Sequence, residues 1–168
     1  MNPEAFISTT APWILLVACN PSQFTNLLWR LKREQLREGV VVQIRGSKMR
    51  TTGKLFDEVS AALQFPHYFG QNWDALDECL NDLEWLPGTC YVLGVFDAAQ
   101  VLEAEGDQLS TFGAILTRTC EEWGKRVNEG QPWDRPAVPF HVLLQCGEGK
   151  EQEVVDRYKR AGVPVVLV

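Results

Sequence analysis

Asp74, Asp77, Glu78 and Asp82 stand close together, with no Lys or Arg among them. Asp74, Glu78 and Asp82 recur at i, i+4 and i+8, so a helix would carry them on one face. Like charges at that spacing destabilise an isolated helix by a few tenths of a kcal/mol per pair. A helix shaped by stability alone would intersperse bases. The chemistry available to this one is presentation of negative charge, because carboxylates accept charge-assisted hydrogen bonds from Arg, Lys and His. Other chemistries find less support. His67 and His141 have no paired nucleophile. Gly147-Glu148-Gly149-Lys150 lacks the glycine spacing and the hydroxyl residue of a phosphate loop, and Glu148 and Glu151 would repel phosphate. There is no Cys-x-x-Cys pair to suggest zinc. The residues therefore predict no catalytic centre, no cofactor and no metal.

The carboxylates need a holder, and the stretch from Phe65 to Leu83 supplies one. An aromatic loop containing Gly70 leads to Asn72, whose side-chain oxygen suits an N-cap. Leu76, Cys79, Leu80 and Leu83 then fall at i, i+3, i+4 and i+7 and form an apolar stripe opposite the acids. Phe69 and Cys79 read as packing residues, Trp73 as half-buried, and Tyr68 as an exposed aromatic beside the acidic face.

Charge is unevenly spread. The whole chain has 16 Lys and Arg, 22 Asp and Glu, and a net charge of −6. Between Lys54 and Arg118 there are 11 acids and no base, so the flanks carry the remaining 16 − 11 = +5. Such a block either serves as a solvated, solubilising surface or steers a basic partner, which speeds encounter by roughly 10- to 10³-fold at low salt. It argues against nucleic-acid binding by this half. No apolar run has the length of a membrane span. The beginning of the chain lacks a basic segment before its short apolar run, so no signal peptide is expected. Five cysteines without paired spacing suggest reduced thiols and a cytoplasmic protein.

At 168 residues the chain is expected to form a single domain over residues 1–168. After a poorly ordered lead (1–12), residues 13–19 read as a strand buried on both faces. Asn20-Pro21-Ser22 caps a helix running to about Arg37, with Phe24, Leu27, Leu28, Leu31 and Leu36 inward. Residues 40–44 form a second strand, and a helix from Thr52 ends before Pro66. The acidic helix follows, then a strand over 90–95, a short helix over 97–105, and a longer helix capped by Asp107. Residues 124–139 are a polar loop. A strand over 140–145, a helix through Val154, Val155 and Tyr158, and an edge strand over 163–168 complete the chain. Strands alternating with helices predict an α/β fold with a mainly parallel sheet.

The segment from Ile44 to Leu83 resembles the barstar family of inhibitors of the ribonuclease barnase. The carrying residues are Ile44-Arg45-Gly46, Leu63-Gln64-Phe65-Pro66, and Tyr68-Phe69-Gly70-Gln71-Asn72-Trp73-Asp74-Ala75-Leu76-Asp77-Glu78-Cys79-Leu80. The resemblance implies a barstar-like core over about 40–146. An N-terminal β-α unit (1–38) and a C-terminal α-β unit (147–168) then extend it, to widen the sheet or shield an edge. It also implies a role for the acidic helix, which in this family enters a nuclease active site and stands in for RNA phosphates. By position, Asp74 matches the first key acid, Tyr68 the stacking aromatic, Asn72 the cap, and Gly70 the close approach of the loop to the partner. Glu78 stands at the second key acid on a longer arm. Asp77 replaces a Trp, and Asp82 replaces a small residue. A further family acid, on the later helix, falls nearest Glu121 or Glu122.

The expectation is thus a non-enzymatic antitoxin or immunity protein, monomeric alone and heterodimeric with a basic ribonuclease. It would bind through Tyr68, Gly70, Asn72, Asp74, Asp77, Glu78 and Asp82. Two alternatives stay open. One is a module of the same fold with a different basic, non-nuclease partner. The other is a small α/β enzyme using the carboxyl ends of the strands.

Overall fold

The computed structural model describes residues 8–168; the expectation for the lead therefore lies mostly outside the described residues. Five parallel strands form one sheet: β1 (Ile14–Ala18), β2 (Val40–Arg45), β3 (Tyr91–Phe96), β4 (Phe140–Cys146) and β5 (Val165–Leu167). Their order is β2-β3-β4-β1-β5. The helices are α1 (Pro21–Arg30), α2 (Thr52–Ala62), α3 (Trp73–Asp82), α4 (Leu109–Trp123) and α5 (Glu151–Arg160).

The apolar runs account for the layering. Ile14, Leu15 and Leu16 are all buried, because β1 lies inside the sheet between β4 and β5. On one face, Leu15, Val92 and Leu143 pack against Phe24, Leu28 and Leu31 of α1 and its continuation. Gly94 of β3 makes that approach possible, since a Cβ there would lie 2.5 Å from Leu28 Cδ1. The opposite face, with Ile14, Leu16, Ile44, Leu93, Val95, Val142 and Leu144, is covered by the apolar sides of α2, α3, α4 and α5. Within that layer α3 packs chiefly on α4, which leaves its other side to solvent.

The two terminal units enter the same sheet. β1 covers the edge that β4 would otherwise expose, and β5 pairs with β1. The C-terminal strand thus reaches the family-like core only through the N-terminal one. Pro164 immediately precedes β5 on the sheet edge, where a missing amide costs nothing.

Three local expectations are corrected. The first helix stops as an α-helix at Arg30 and continues as a π-helical turn over Leu31–Gln35, which still buries Leu36. Residues 97–105 form no helix beyond a 3₁₀ turn at Ala98–Gln100. Asp97 and Leu102 have positive φ there, and the amides of Leu102 and Ala104 donate instead to Met49 O (2.7 Å) and Arg50 O (3.0 Å). Asp107 does not cap α4 by its side chain; it lies in a 3₁₀ turn, Gly106–Gln108, that runs into the helix. All five cysteines are free thiols. No described helix is long and apolar enough to cross a membrane.

Candidate functional site

Asn72 starts α3 as its sequence suggests. Its backbone is extended, and its Oδ1 accepts from Ala75 N at 2.9 Å. The next residue, Trp73, is anchored: its ring meets Phe56 edge-on at 5.0 Å, and its Nε1 donates to Gln108 Oε1 at 3.2 Å. The far end is fixed as well. Leu83 ends the helix in a left-handed conformation (φ 47°), and Trp123 Nε1 of α4 donates to Leu80 O at 2.8 Å. Leu76, Cys79, Leu80 and Leu83 are buried, which is the stripe read from their spacing.

The outward side carries Asp74, Glu78 and Asp82, all exposed. No hydrogen bond or ion pair engages their carboxylates among the described residues. Asp77 differs. It is half-buried, and Arg118 of α4 pairs with it, Nη2 to Oδ2 at 2.6 Å and Nε to Oδ1 at 3.1 Å. Asn81 Nδ2 also donates to its backbone and side-chain oxygens. The acids of the base-free block are thus of two kinds. Glu58, Glu103 and Asp77 are reached by Arg45, Arg50 and Arg118 from outside the block. Those on the outer face of α3 keep their charge uncompensated.

The loop before α3 divides its aromatics. Phe69 turns inward, with ring centroids 5.1 Å from Phe65 and 6.0 Å from Phe56. Tyr68 turns outward and is 63 % exposed. Partial desolvation, reinforced by Asp82, Cys79 and Glu84, pushes its phenol above the usual range. At Gly70 a Cβ would lie 3.0 Å from Asn72 Nδ2, so this glycine fits tightly against the cap of its own helix. The left-handed residues between α2 and α3 are Gln64 and Gln71, not Gly70.

Glu121 and Glu122 are exposed on α4, and Glu122 is paired with Lys125 at 2.7 Å. Spacing did not reveal Arg118 as part of this site. The available signal was its place as the first base after the acidic block.

A cleft of about 660 Å³ lies elsewhere, at the carboxyl ends of β2 and β3. Arg45 and Glu58 line it as a two-point ion pair, with Nε–Oε1 at 2.7 Å and Nη2–Oε2 at 2.9 Å. Ser47 and Thr25 bring hydroxyls, and no histidine or cysteine is present as a base or nucleophile. The alternative of an enzyme at the strand ends therefore gains a cavity but no reactive pair.

A parallel sheet under a clamped helix whose free carboxylates face solvent is the frame of this chain. The model of the Barstar (barnase inhibitor) family matches residues 40–145, more than half of the chain, and the chain belongs to this family. None of the curated proteins compared with it is significantly similar. Among solved structures it is similar to chains of Drosophila ORC. For ORC bound to AT-rich DNA and Cdc6 the TM-score is 0.51 and identity 16 %, covering 99 % of this chain and 49 % of the other. For ORC bound to DNA the TM-score is 0.54 and identity 15 %, covering 99 % and 81 %. The chain spans about half the length of the first of these, and likeness at this identity concerns the fold alone.

Proposed function

We propose that this protein inhibits a basic, barnase-like ribonuclease by laying the outer face of α3 and the Tyr68 loop over its active site. Asp74 and Glu78 take the places of RNA phosphates and accept bonds from the nuclease's cationic residues. Tyr68 packs against the partner, Gly70 and Asn72 hold the loop and helix start, and Asp82 extends the attractive field. Asp77 contributes mainly through Arg118, because its charge is already paired. The observation that carries this reading is the set of exposed carboxylates on a rigid helix with no cation of their own. Carboxylates left so cost little in water and gain most when a positive surface closes over them.

On this reading the protein is a cytoplasmic antitoxin or immunity protein rather than an enzyme. It is monomeric alone, heterodimeric with its target, and one domain over 1–168. Titration into barnase-like ribonucleases, and into any nuclease toxin encoded beside it, tests this. RNA cleavage should be lost, and the double variant Asp74→Ala/Glu78→Ala should restore it. Truncating one partner of a buried charge pair costs about 2 to 5 kcal/mol, a range to which the barnase–barstar pair itself contributes. Binding that ignores both substitutions would sink the proposal.

A second reading keeps the interface and changes the partner. Glu78 and Asp77 depart from the family's acid and Trp, which favours a different basic protein. Tight binding through the same face without loss of RNA cleavage would select it.

A further inference from the structure

Beyond the carboxyl end of α3 the surface dips into a groove of about 370 Å³. Leu83, Pro87, Pro136 and Val138 give it apolar walls, and Asp82 and Glu84 stand at its rim. Its floor is stiff. The Tyr91 ring lies between those of Phe140 (5.5 Å) and Trp123 (4.9 Å), and the Arg135 guanidinium covers Trp123 at 4.3 Å. Arg135 also lines the groove and donates to the carbonyls of Glu122 (2.9 Å), Trp123 (3.1 Å) and Lys125 (3.0 Å); these bonds hold its guanidinium on Trp123 without neutralising it, so the two carboxylates outweigh it by one charge. The rim carboxylates have no hydrogen bond or ion pair among the described residues.

An apolar slot with an acidic mouth matches one kind of side chain. Lys and Arg lay a methylene stem on apolar surface and keep a charged head for carboxylates. The groove is continuous with the acidic face, because Asp82 belongs to both. The loop that forms its far wall also carries Trp133, 63 % exposed. That indole is held in place, since its Nε1 donates to Glu129 Oε2 (3.2 Å) while Asp134 accepts from the amides of Glu129 (2.8 Å) and Gly130 (2.9 Å). A fixed, exposed Trp is the composition of an interface anchor.

We infer that this groove is a second subsite of the partner-binding face, taking a lysine or arginine side chain of the basic partner while Trp133, on the same loop, packs against that partner. The inference rests on α3 being the face that meets that partner. Its reach is different, because it extends recognition past the phosphate-mimicking acids to a feature that would select among basic partners.

Two measurements test it. In the first, N-acetyl-arginine methylamide is titrated into the isotope-labelled protein and followed by NMR. The amides of Leu83, Gly88 and Val138 should shift with millimolar saturation, more weakly with the norleucine analogue and hardly at all in Glu84→Gln. Absence of shifts there, or equal shifts with both analogues, overturns the inference. In the second, binding to an inhibited ribonuclease is measured for Glu84→Gln, Trp133→Ala and Ala137→Trp, with circular dichroism as the check on folding. Each should weaken binding by about two- to fivefold, mainly through faster dissociation. If the wild type inhibits a ribonuclease and all three variants match it, the groove proposal fails while the inhibitor reading stands. If no ribonuclease is inhibited, the inhibitor reading fails, and the arginine titration still decides the groove.

Discussion

Arg118 of α4 grips Asp77 of α3 at two points, 2.6 Å and 3.1 Å. The first base after the acidic block reaches back into it and neutralises one acid, which ties α3 to the helix beneath. Removing the base should act in two directions. Arg118→Ala is expected to lower stability by only about 0.2 to 1 kcal/mol, because the Arg118 side chain is half exposed. It should also speed association with a basic partner at low salt, with the gain fading as salt is added. Urea unfolding checks the first arm, and stopped-flow binding at several ionic strengths checks the second. Rates no faster than wild type at low salt would mean that Asp77 already contributes its charge.

Asn72 is the start signal of α3, and its Oδ1 satisfies Ala75 N. Asn72→Ala should cost about 1 kcal/mol, and Asn72→Asp should cost much less because the carboxylate also caps. Thermal melts of the three proteins give the order. An alanine variant as stable as wild type would show that Trp73 and Trp123 alone hold the helix.

Arg45 holds the Glu58 carboxyl below its ordinary 4.5, first through the side-chain hydrogen bond and further through the Arg45 amide. The unfolded chain then binds this proton more readily than the folded one. The contribution to stability is complete above about pH 4.5 and is lost as pH falls through the lowered folded-state value. Urea unfolding between pH 7 and 3 should therefore show a shallower acid limb for Glu58→Gln than for wild type. Parallel limbs would remove Glu58 from the account.

Tyr158 of α5 donates to Ala98 O at 3.0 Å from a buried site, joining the C-terminal unit to the turn after β3. Tyr158→Phe leaves that carbonyl with only the long bond from Val101 N (3.4 Å) and should cost about 0.5 to 1.5 kcal/mol. A drop in urea midpoint without a change in slope is the expected signature.

Much of the acidic helix was legible in order of residues. The cap at Asn72, the stripe of Leu76, Cys79, Leu80 and Leu83, and the outward set of Asp74, Glu78 and Asp82 follow from the period of a helix, and the structure has them. The division of Phe69 from Tyr68 was legible too, because an aromatic cluster needs an inward ring. Residues 97–105 misled, since short-range propensity there lost to backbone bonds with Met49 and Arg50, which are distant in sequence. Arg118 was hidden for the same reason: its partner is 41 residues away.

Local spacing and charge order by themselves determined an α/β chain with one capped acidic helix and a base-free block around it. Those properties depend on neighbours within a turn or two, where geometry is nearly fixed. Only tertiary structure decided the strand order, which places β1 between β4 and β5 and makes the C-terminal strand depend on the N-terminal one. It alone also separated the paired carboxylate of Asp77 from the unpaired ones of Asp74, Glu78 and Asp82. Charge pairing is a matter of distance in space, and that distance is set by how α3 and α4 pack.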